Sequence, residues 1–187
     1  MSTRCLIGIL NGDGTGEYIR VNTDGYPEWV GRLLAKNHAT RDKAAELIAL
    51  GDLSHLSNTL DPKPTFEGSE DLYVMGTVAH HRDWGWKWSD VGPRHLTHGL
   101  VEFDEILKES DCLYGYVWLP GGWMAWLNKS MWLKVWTPLT AVQLRKDFPN
   151  PFDCSTDRLS SPYADMCKRP AVLTPMMYSQ RRQSDAF

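Results

Sequence analysis

The stretch from Asp111 to Trp136, which reads DCLYGYVWLPGGWMAWLNKSMWLKVW, constrains the fold more than any other part of the chain. Its short aromatic runs are interrupted by the turn sequences PGG and NKS, a pattern typical of two or three strands joined by hairpins. Strands joined by such short turns pair antiparallel. The stretch therefore predicts an antiparallel sheet, with Trp132, Lys134 and Trp136 on one face of its last strand.

Two other regions have the pattern of strands. Near the start of the chain, CLIGIL is a short apolar run, NGDGTG is a cluster of turn residues, and EYIRVN alternates apolar with polar side chains. This order predicts a second hairpin. The run DLYVMGTVAHH, which begins at Asp71, also alternates and predicts a further strand that ends at two histidines.

Two helices are predicted between these strands, at TDGYPEWVGRLLAKNHA and TRDKAAELIALG. In the first, Pro27 suits the first turn and Glu28 suits the positive N-terminal end. In the second, Thr40 is a candidate N-cap and Gly51 a C-terminal stop. Further helices are predicted at HGLVEFDEILKES and, with Thr137 as its N-cap, at TPLTAVQLRKDF.

Together these elements predict a single α+β domain over residues 1–148 of the 187-residue chain. Its mainly antiparallel sheet would have about five to six strands, with the two helices of the N-terminal half packed on one face. Residues 52–70 predict a loop inside the domain. Residues 149–187 contain several prolines and few periodic apolar positions, so an irregular C-terminal arm is expected.

Composition excludes several classes of protein. With 20 Lys and Arg against 23 Asp and Glu, the chain has no global field that would draw it to nucleic acid or to an anionic membrane surface. Its four cysteines form no CxxC pair, which argues for reduced structural thiols. No apolar run approaches the ~18 residues of a membrane span, and the N-terminal run is too short for a secretory signal. These features predict a cytoplasmic protein without a cofactor or membrane contact.

Tryptophan is the main compositional anomaly, because eight of the nine tryptophans lie between Trp84 and Trp136. Indoles fill cores and also anchor interfaces. We expect most of them to lie in the core and a subset to form a recognition surface.

Residues 80–88, HHRDWGWKW, are the predicted recognition surface, since functional side chains often lie where a strand gives way to a loop. The tryptophans would stack a base or anchor a partner, and the two cations would bind phosphate. In an extended chain the three indoles would share a face while Lys87 turns away, unless Gly85 introduces a bend. A strand edge that only seals the core is the alternative. The predicted binding residues of this strip are Arg82, Trp84, Trp86, Lys87 and Trp88.

The turn DGYPE has two interpretations. In the structural one, Asp24 and Gly25 form a tight turn and Tyr26 packs as a hydrophobic staple before the helix. In the functional one, Asp24, Tyr26 and Glu28 lie at the mouth of a pocket near the strand end that carries residues 80–83. Asp24 and Tyr26 are therefore also candidate binding residues.

An enzyme is the alternative functional class. His80 or His81 would serve as a general acid or base, with Asp83 orienting it, in a hydrolase directed at a phosphoester. However, the chain has no GxSxG sequence, no cysteine beside a histidine and no carboxylate pair at a diagnostic spacing. A non-catalytic protein is therefore favoured.

A metal site is a weaker alternative, because four histidines fall close together and the spacing His95-x-x-His98 presents two imidazoles on one side of a helix. Adjacent strand residues point to opposite faces, so only one of the first two histidines could join. The candidate ligands are His80 or His81, His95, His98, and Asp83 or Asp90. No metal is expected.

The sequences TR-CLIGI, TDGYPEWVGRLLAKN, ELIALGDLSHL and AHHRDWG resemble a family of small bacteriophage and prophage proteins without an established activity. The shared outline is an N-terminal strand pair, a DGYPE turn into a helix, an LIxLGD-L helix end and an HRDxG segment. The likeness covers residues 3–88 in patches and extends loosely to about residue 136. Where members of this family often carry Cys-His-Trp before the turn, this chain has Val21, Asn22 and Thr23.

The resemblance implies an accessory phage protein that acts inside an infected bacterium. Combined with the aromatic strip, it predicts a non-catalytic binding protein that blocks a host or defence component. The expected target is a host protein, or a nucleotide-like signal that the protein sequesters. An exposed aromatic face is also compatible with a homodimer.

Overall fold

A computed structural model describes residues 3–61, 76–130 and 133–142. These residues form an α+β fold with eight strands in one sheet. The strands are β1 (Cys5–Leu10), β2 (Gly16–Val21), β3 (Leu53–His55), β4 (Val78–Ala79), β5 (Arg94–Leu96), β6 (Tyr114–Leu119), β7 (Gly122–Ser130) and β8 (Leu133–Pro138). The helices are α1 (Arg32–Asn37), α2 (Arg41–Ile48), α3 (His80–Trp84), α4 (Trp88–Val91) and α5 (Gly99–Glu109).

The strand order is β4-β3-β2-β1-β6-β7-β8, and β5 also pairs with β2. The predicted hairpins are confirmed: β1 pairs antiparallel with β2, β6 with β7, and β7 with β8. Gly121 and Gly122 of the PGG turn have φ of +118° and +130°, a region that favours glycine.

The sheet is mixed, because five pairings of the described strands are antiparallel and two are parallel, and it has eight strands where five to six were predicted. β1 pairs parallel with β6, and β2 pairs parallel with β3. Helices separate the members of both pairs along the chain, so each second strand returns to the sheet in the same direction as the first. The extra strands β3 and β5 have three residues each, too few for alternation to be recognised, whereas β4 is the described end of the strand predicted from Asp71.

Helices cover both faces of the sheet. On one face, apolar side chains of α1 and α2 pack with Cys5, Ile7 and Ile9 of β1. On the other, Phe103 and Leu107 of α5 pack with the alternate residues of β1 and with β6 and β7. The first face therefore carries both N-terminal helices as predicted, while α5 completes a three-layer arrangement.

Local signals account for most helix ends. Pro27 opens a π-helical turn, Pro27–Gly31, that leads into α1. The Thr40 hydroxyl accepts a hydrogen bond from Lys43 N at the start of α2, and Gly51 follows that helix with φ of +71°. The predicted helix at residues 98–110 is confirmed as α5.

Several local predictions are wrong or fall outside the described residues. Thr137 and Pro138 belong to β8 and not to a helix, and the described part of the predicted helix beyond them shows only a 3₁₀ turn, Leu139–Ala141. The NKS sequence lies within β7 and is not a turn. Part of the predicted loop, Leu53–His55, is strand β3. The described residues do not include Trp132, the arm at 149–187 or the first part of the strand predicted from Asp71.

None of the described helices has the length and apolar character needed to cross a membrane.

Candidate functional site

The strip HHRDWGWKW does not form a strand end but two short helices. α3 covers His80–Trp84, Gly85 ends it with φ of +69°, and α4 begins at Trp88. The Asp83 carboxylate accepts a hydrogen bond from Ala79 N at 2.7 Å, which satisfies a backbone donor at the start of α3. The extended arrangement predicted for the three indoles is therefore wrong, and Gly85 provides the bend. Residues 80–91 are termed the tryptophan segment below.

The tryptophan segment is exposed along almost all of its length. Residues 81–90 are all exposed, whereas His80 and Val91 at its two ends are buried. Trp84, Trp86 and Trp88 are 52%, 47% and 46% exposed. Among the described residues only five large hydrophobic side chains are exposed, and these three indoles are the majority of them.

The indoles are ordered against two histidines. The ring of His80 stacks on Trp84 at 4.8 Å between centroids and lies 4.5 Å from the ring of Trp86. His81 meets Trp88 edge to face at 5.1 Å, and its Nδ1 donates to the carbonyl of Trp86 at 2.7 Å. The exposed aromatic surface is therefore held in place by contacts within the protein.

Asp52 joins both ends of the tryptophan segment to the sheet. Its carbonyl accepts from His80 N at 3.0 Å, and its N–H donates to the carbonyl of Val91 at 2.6 Å. Its carboxylate, in a side chain only 8% exposed, accepts from Arg20 N and pairs through both oxygens with Arg94 at 2.8 Å. One buried residue thus fixes both ends of an otherwise exposed segment.

Gly51 makes this close approach possible. A Cβ at position 51 would lie 2.4 Å from the carbonyl oxygen of Val91, and the positive φ of Gly51 is itself unfavourable for other residues. Gly85 also has a positive φ, but no atom lies within 4 Å of where its Cβ would be. The two glycines therefore have different roles. Gly51 allows the backbone to approach the Val91 carbonyl, whereas Gly85 only allows the turn.

Arg82, a predicted ligand for phosphate, is occupied within the protein. Its guanidinium donates to both carboxylate oxygens of Asp83 at 2.8 Å, to the carbonyl of Leu60 at 2.6 Å and to that of Thr77 at 2.5 Å. The hydrogen bonds from Arg82 to the Asp83 carboxylate lower the pKa of that carboxyl. The contacts favour a structural role for Arg82, whereas Lys87 is the other exposed cation of the strip.

His80 is held in its neutral form. Arg20 Nε donates to Asn22 Oδ1 at 3.0 Å, which directs Asn22 Nδ2 toward His80 Nε2 at 3.3 Å. Within the described part of the chain, His80 Nδ1 is buried without a hydrogen-bond partner. Burial lowers the pKa of the imidazole, and the carboxylate of Asp52 partly offsets that shift.

The arrangement gives little support to the hydrolase alternative. The Asp83 carboxylate faces Arg82 and Ala79 N, so it does not orient either imidazole. The imidazole of His81 bonds a backbone carbonyl, and that of His80 is 2% exposed. Cys5 and Cys112 are free and buried, and desolvation raises the pKa of both thiols, so neither is activated as a nucleophile.

Asp24 and Tyr26 lie in a separate cluster around β3. Asp24, with φ of +57°, places Oδ2 3.3 Å from Nδ1 of His55, and the Tyr26 hydroxyl donates to its Oδ1 at 3.3 Å. Tyr26 is 8% exposed and precedes the π-helical turn. Both residues therefore have structural partners in the turn, and the partner of Asp24 is His55 of β3 rather than a residue of the strip.

The candidate metal ligands are not brought together. His95 lies in β5 and pairs with Glu17 at 3.3 Å, while His98 precedes α5, so the two imidazoles do not share a helix. In the part of the chain that the structure describes, no three His, Cys, Asp or Glu side chains are grouped to hold a metal ion.

The sequence interpretation missed the residues behind the tryptophan segment: Arg20, Asn22, Asp52 and Arg94. A signal for one of them was present, since Asp52 belongs to the LGD sequence that contributes to the phage-protein resemblance. Its contact with His80 places that sequence directly against the AHHRDWG sequence. The partners of Arg20, Asn22 and Arg94 depend on strand pairing across the sheet, which local sequence does not reveal.

Comparison of the chain with family models, with curated proteins and with solved structures gave no match.

Proposed function

We propose that this protein is a non-catalytic binding protein that engages a component of a bacterial host through Trp84, Trp86 and Trp88. The observation that carries the proposal is the exposure of these three indoles within five residues. Tryptophan is enriched among the residues that dominate binding energies, and contiguous exposed apolar surface marks interaction sites.

The anchoring of the segment adds support. Because Asp52 holds both ends and His80 orders the rings, little side-chain entropy remains to be lost when a partner binds. The resemblance to phage proteins supports a target inside a bacterium, either a host protein or a nucleotide-like signal. The environment of His80, His81 and Asp83 supports binding without chemistry.

The test begins with immobilised protein exposed to bacterial lysate and, separately, to a panel of nucleotides. Retained molecules are released by heat and identified by mass spectrometry. We expect an unaltered ligand or a specific host protein, retained by the native protein and by Val101→Ala but not by Trp86→Ala. Val101 is 68% exposed on α5 and serves as a matched apolar control. A chemically altered small molecule would instead support the hydrolase.

A further inference from the structure

We propose that Arg4 and Arg20 form an anion-binding site beside the tryptophan segment, and that the ligand is a nucleoside phosphate whose base stacks on Trp84 or Trp86. This inference rests on the proposed function and names the class of ligand. Arg4 and Arg20 on the sheet would bind the phosphate in place of Arg82, because the Arg82 guanidinium is already hydrogen-bonded within the protein.

Strand alternation places both arginines on the face of the sheet that α5 partly covers. Arg4 precedes Leu6 by two residues, and Leu6 packs in the cluster under α5. Arg20 alternates with Ile19 and Val21, which face the opposite core. Both side chains remain partly exposed, at 42% for Arg4 and 32% for Arg20.

A continuous series of contacts joins these arginines to the indoles. Arg20 Nε bonds Asn22, the Asn22 amide bonds His80, and the His80 ring lies against Trp84 and Trp86. The side chains of Asn22 and His80 therefore lie between the Arg20 guanidinium and the indole rings. A nucleoside di- or triphosphate likewise carries a flat ring at one end and its anionic groups at the other.

Charge favours an anion at the Arg4 and Arg20 end. Both guanidinium groups share one carboxylate, that of Asp111, with Arg20 Nη2 at 2.6 Å from its Oδ1 and Arg4 Nη1 on its Oδ2. Two cations and one anion leave a local positive charge on a chain whose net charge is −3. Arg94, in contrast, is balanced by its two-oxygen pairing with the buried Asp52.

Asp111 is a weak competitor for an incoming phosphate. Its side chain is 50% exposed, and exposed ion pairs contribute little because water screens them. A phosphate offers more acceptor oxygens and more charge, and it matches the fork of a guanidinium. Displacement of Asp111 into solvent would therefore free both arginines at small cost.

The test is calorimetric titration of the full chain with ATP, GTP and CTP, and separately with adenosine and with pyrophosphate. We expect at least one triphosphate to bind, and Arg4→Ala and Arg20→Ala each to weaken it tenfold or more. Trp86→Ala should weaken it as well. Arg41→Ala is the matched control, because Arg41 lies on α2 at the opposite face and bonds only Asn11 among its described partners.

Thermal unfolding of each variant separates loss of binding from loss of fold, and Arg4→Ala remains informative if Arg20→Ala is unstable. Failure of every triphosphate to bind, or equal binding by the native protein and both arginine variants, would overturn the inference. Pyrophosphate binding as tightly as ATP, unaffected by Trp86→Ala, would overturn the nucleoside assignment. If no nucleotide binds but a host protein is retained through Trp86, this inference fails while the proposed function stands.

Discussion

Tryptophan lies in opposite settings in two regions of the molecule, the β6–β7 hairpin and the tryptophan segment. Trp123 and Trp126 on β7 are 6% and 1% exposed, and Trp123 donates its indole N–H to the carbonyl of His38 at 2.7 Å. Trp84 and Trp86 are about half exposed and stack on a buried imidazole. The difference lies in the layers above them, because helices cover the long strands while no described element covers α3 and α4. Tryptophan content therefore does not distinguish a core from an exposed aromatic surface, whereas the presence of a covering helix does.

The largest loss of unfolding free energy is expected for a buried tryptophan of β7. Trp126→Ala removes a fully buried indole between the sheet and α5, and truncation of an aromatic core residue costs ~3–5 kcal/mol of unfolding free energy. Urea denaturation followed by circular dichroism measures the loss. Trp88→Ala is the exposed counterpart and should cost less than half as much. Equal losses at the two positions would remove the distinction between the regions.

The next largest effect concerns the anchor of the tryptophan segment. Gly51→Ala combines an unfavourable positive φ with a Cβ 2.4 Å from the Val91 carbonyl, so we expect a loss of ~2–4 kcal/mol. Gly85→Ala carries the same φ penalty without the clash and should lose only ~1–2 kcal/mol. The difference between the unfolding free energies of the two variants measures the effect of the close approach between Gly51 and the Val91 carbonyl. A larger loss at Gly85 would show that this approach is not what holds the segment.

Arg82→Ala is expected to have an intermediate effect. The substitution leaves the carbonyls of Leu60 and Thr77 without their charged donor, so the unfolding free energy should fall by ~1–2 kcal/mol. Lys87→Ala, at an exposed position of the same segment, should change it by less than ~0.5 kcal/mol. The sequence alone predicts that Arg82→Ala spares the fold and weakens binding. If the stability of this variant is unchanged, Arg82 has no structural role and becomes a candidate binding residue again.

The smallest effect is a dependence on pH. Burial lowers the pKa values of His38 and His80 in the folded state below the 6.5 of the free side chain. The unfolded chain therefore takes up protons first as pH falls below about 6.5, and stability that is present above that pH is lost as pH falls further. Melting temperatures at pH 7.5, 6.5 and 5.5 measure the slope. His80→Phe keeps a flat ring in the stack and should reduce the slope, whereas an unchanged slope would show that His80 does not contribute.

Sequence predicted the hairpins and the longer helices because their signals are local. Thr40, Gly51 and the PGG turn act within a few residues of their own position, and the structure places all three where the pattern indicates. The parallel pairings of β1 with β6 and β2 with β3 join residues far apart along the chain, so no local alternation reveals them. The predicted strand failed at His80 because Asp83 satisfies the Ala79 N–H and Gly85 supports a helix end.

The sequence drew attention to the aromatic strip and left two interpretations of it, a recognition surface or a strand edge that seals the core. The structure shows that its three indoles are about half exposed. The partners of Arg82 and the contacts of Asp52 could not be predicted, because they depend on how β2, β3, β4 and β5 meet. For the same reason Arg4 and Arg20, separated from the strip by about sixty residues or more, gave no sequence signal.

We propose that the tryptophan segment is a preformed binding surface rather than part of the core. The most direct measurement is a parallel determination of unfolding free energy and ligand affinity for Trp86→Ala, with Val101→Ala as the control. The ligand is whichever molecule the native protein retains. We predict that Trp86→Ala unfolds within ~1.5 kcal/mol of the native protein and loses ~2 kcal/mol or more of binding free energy, while Val101→Ala changes neither. A Trp86→Ala protein that binds as tightly as the native protein, or that loses its fold as Trp126→Ala does, would contradict the claim.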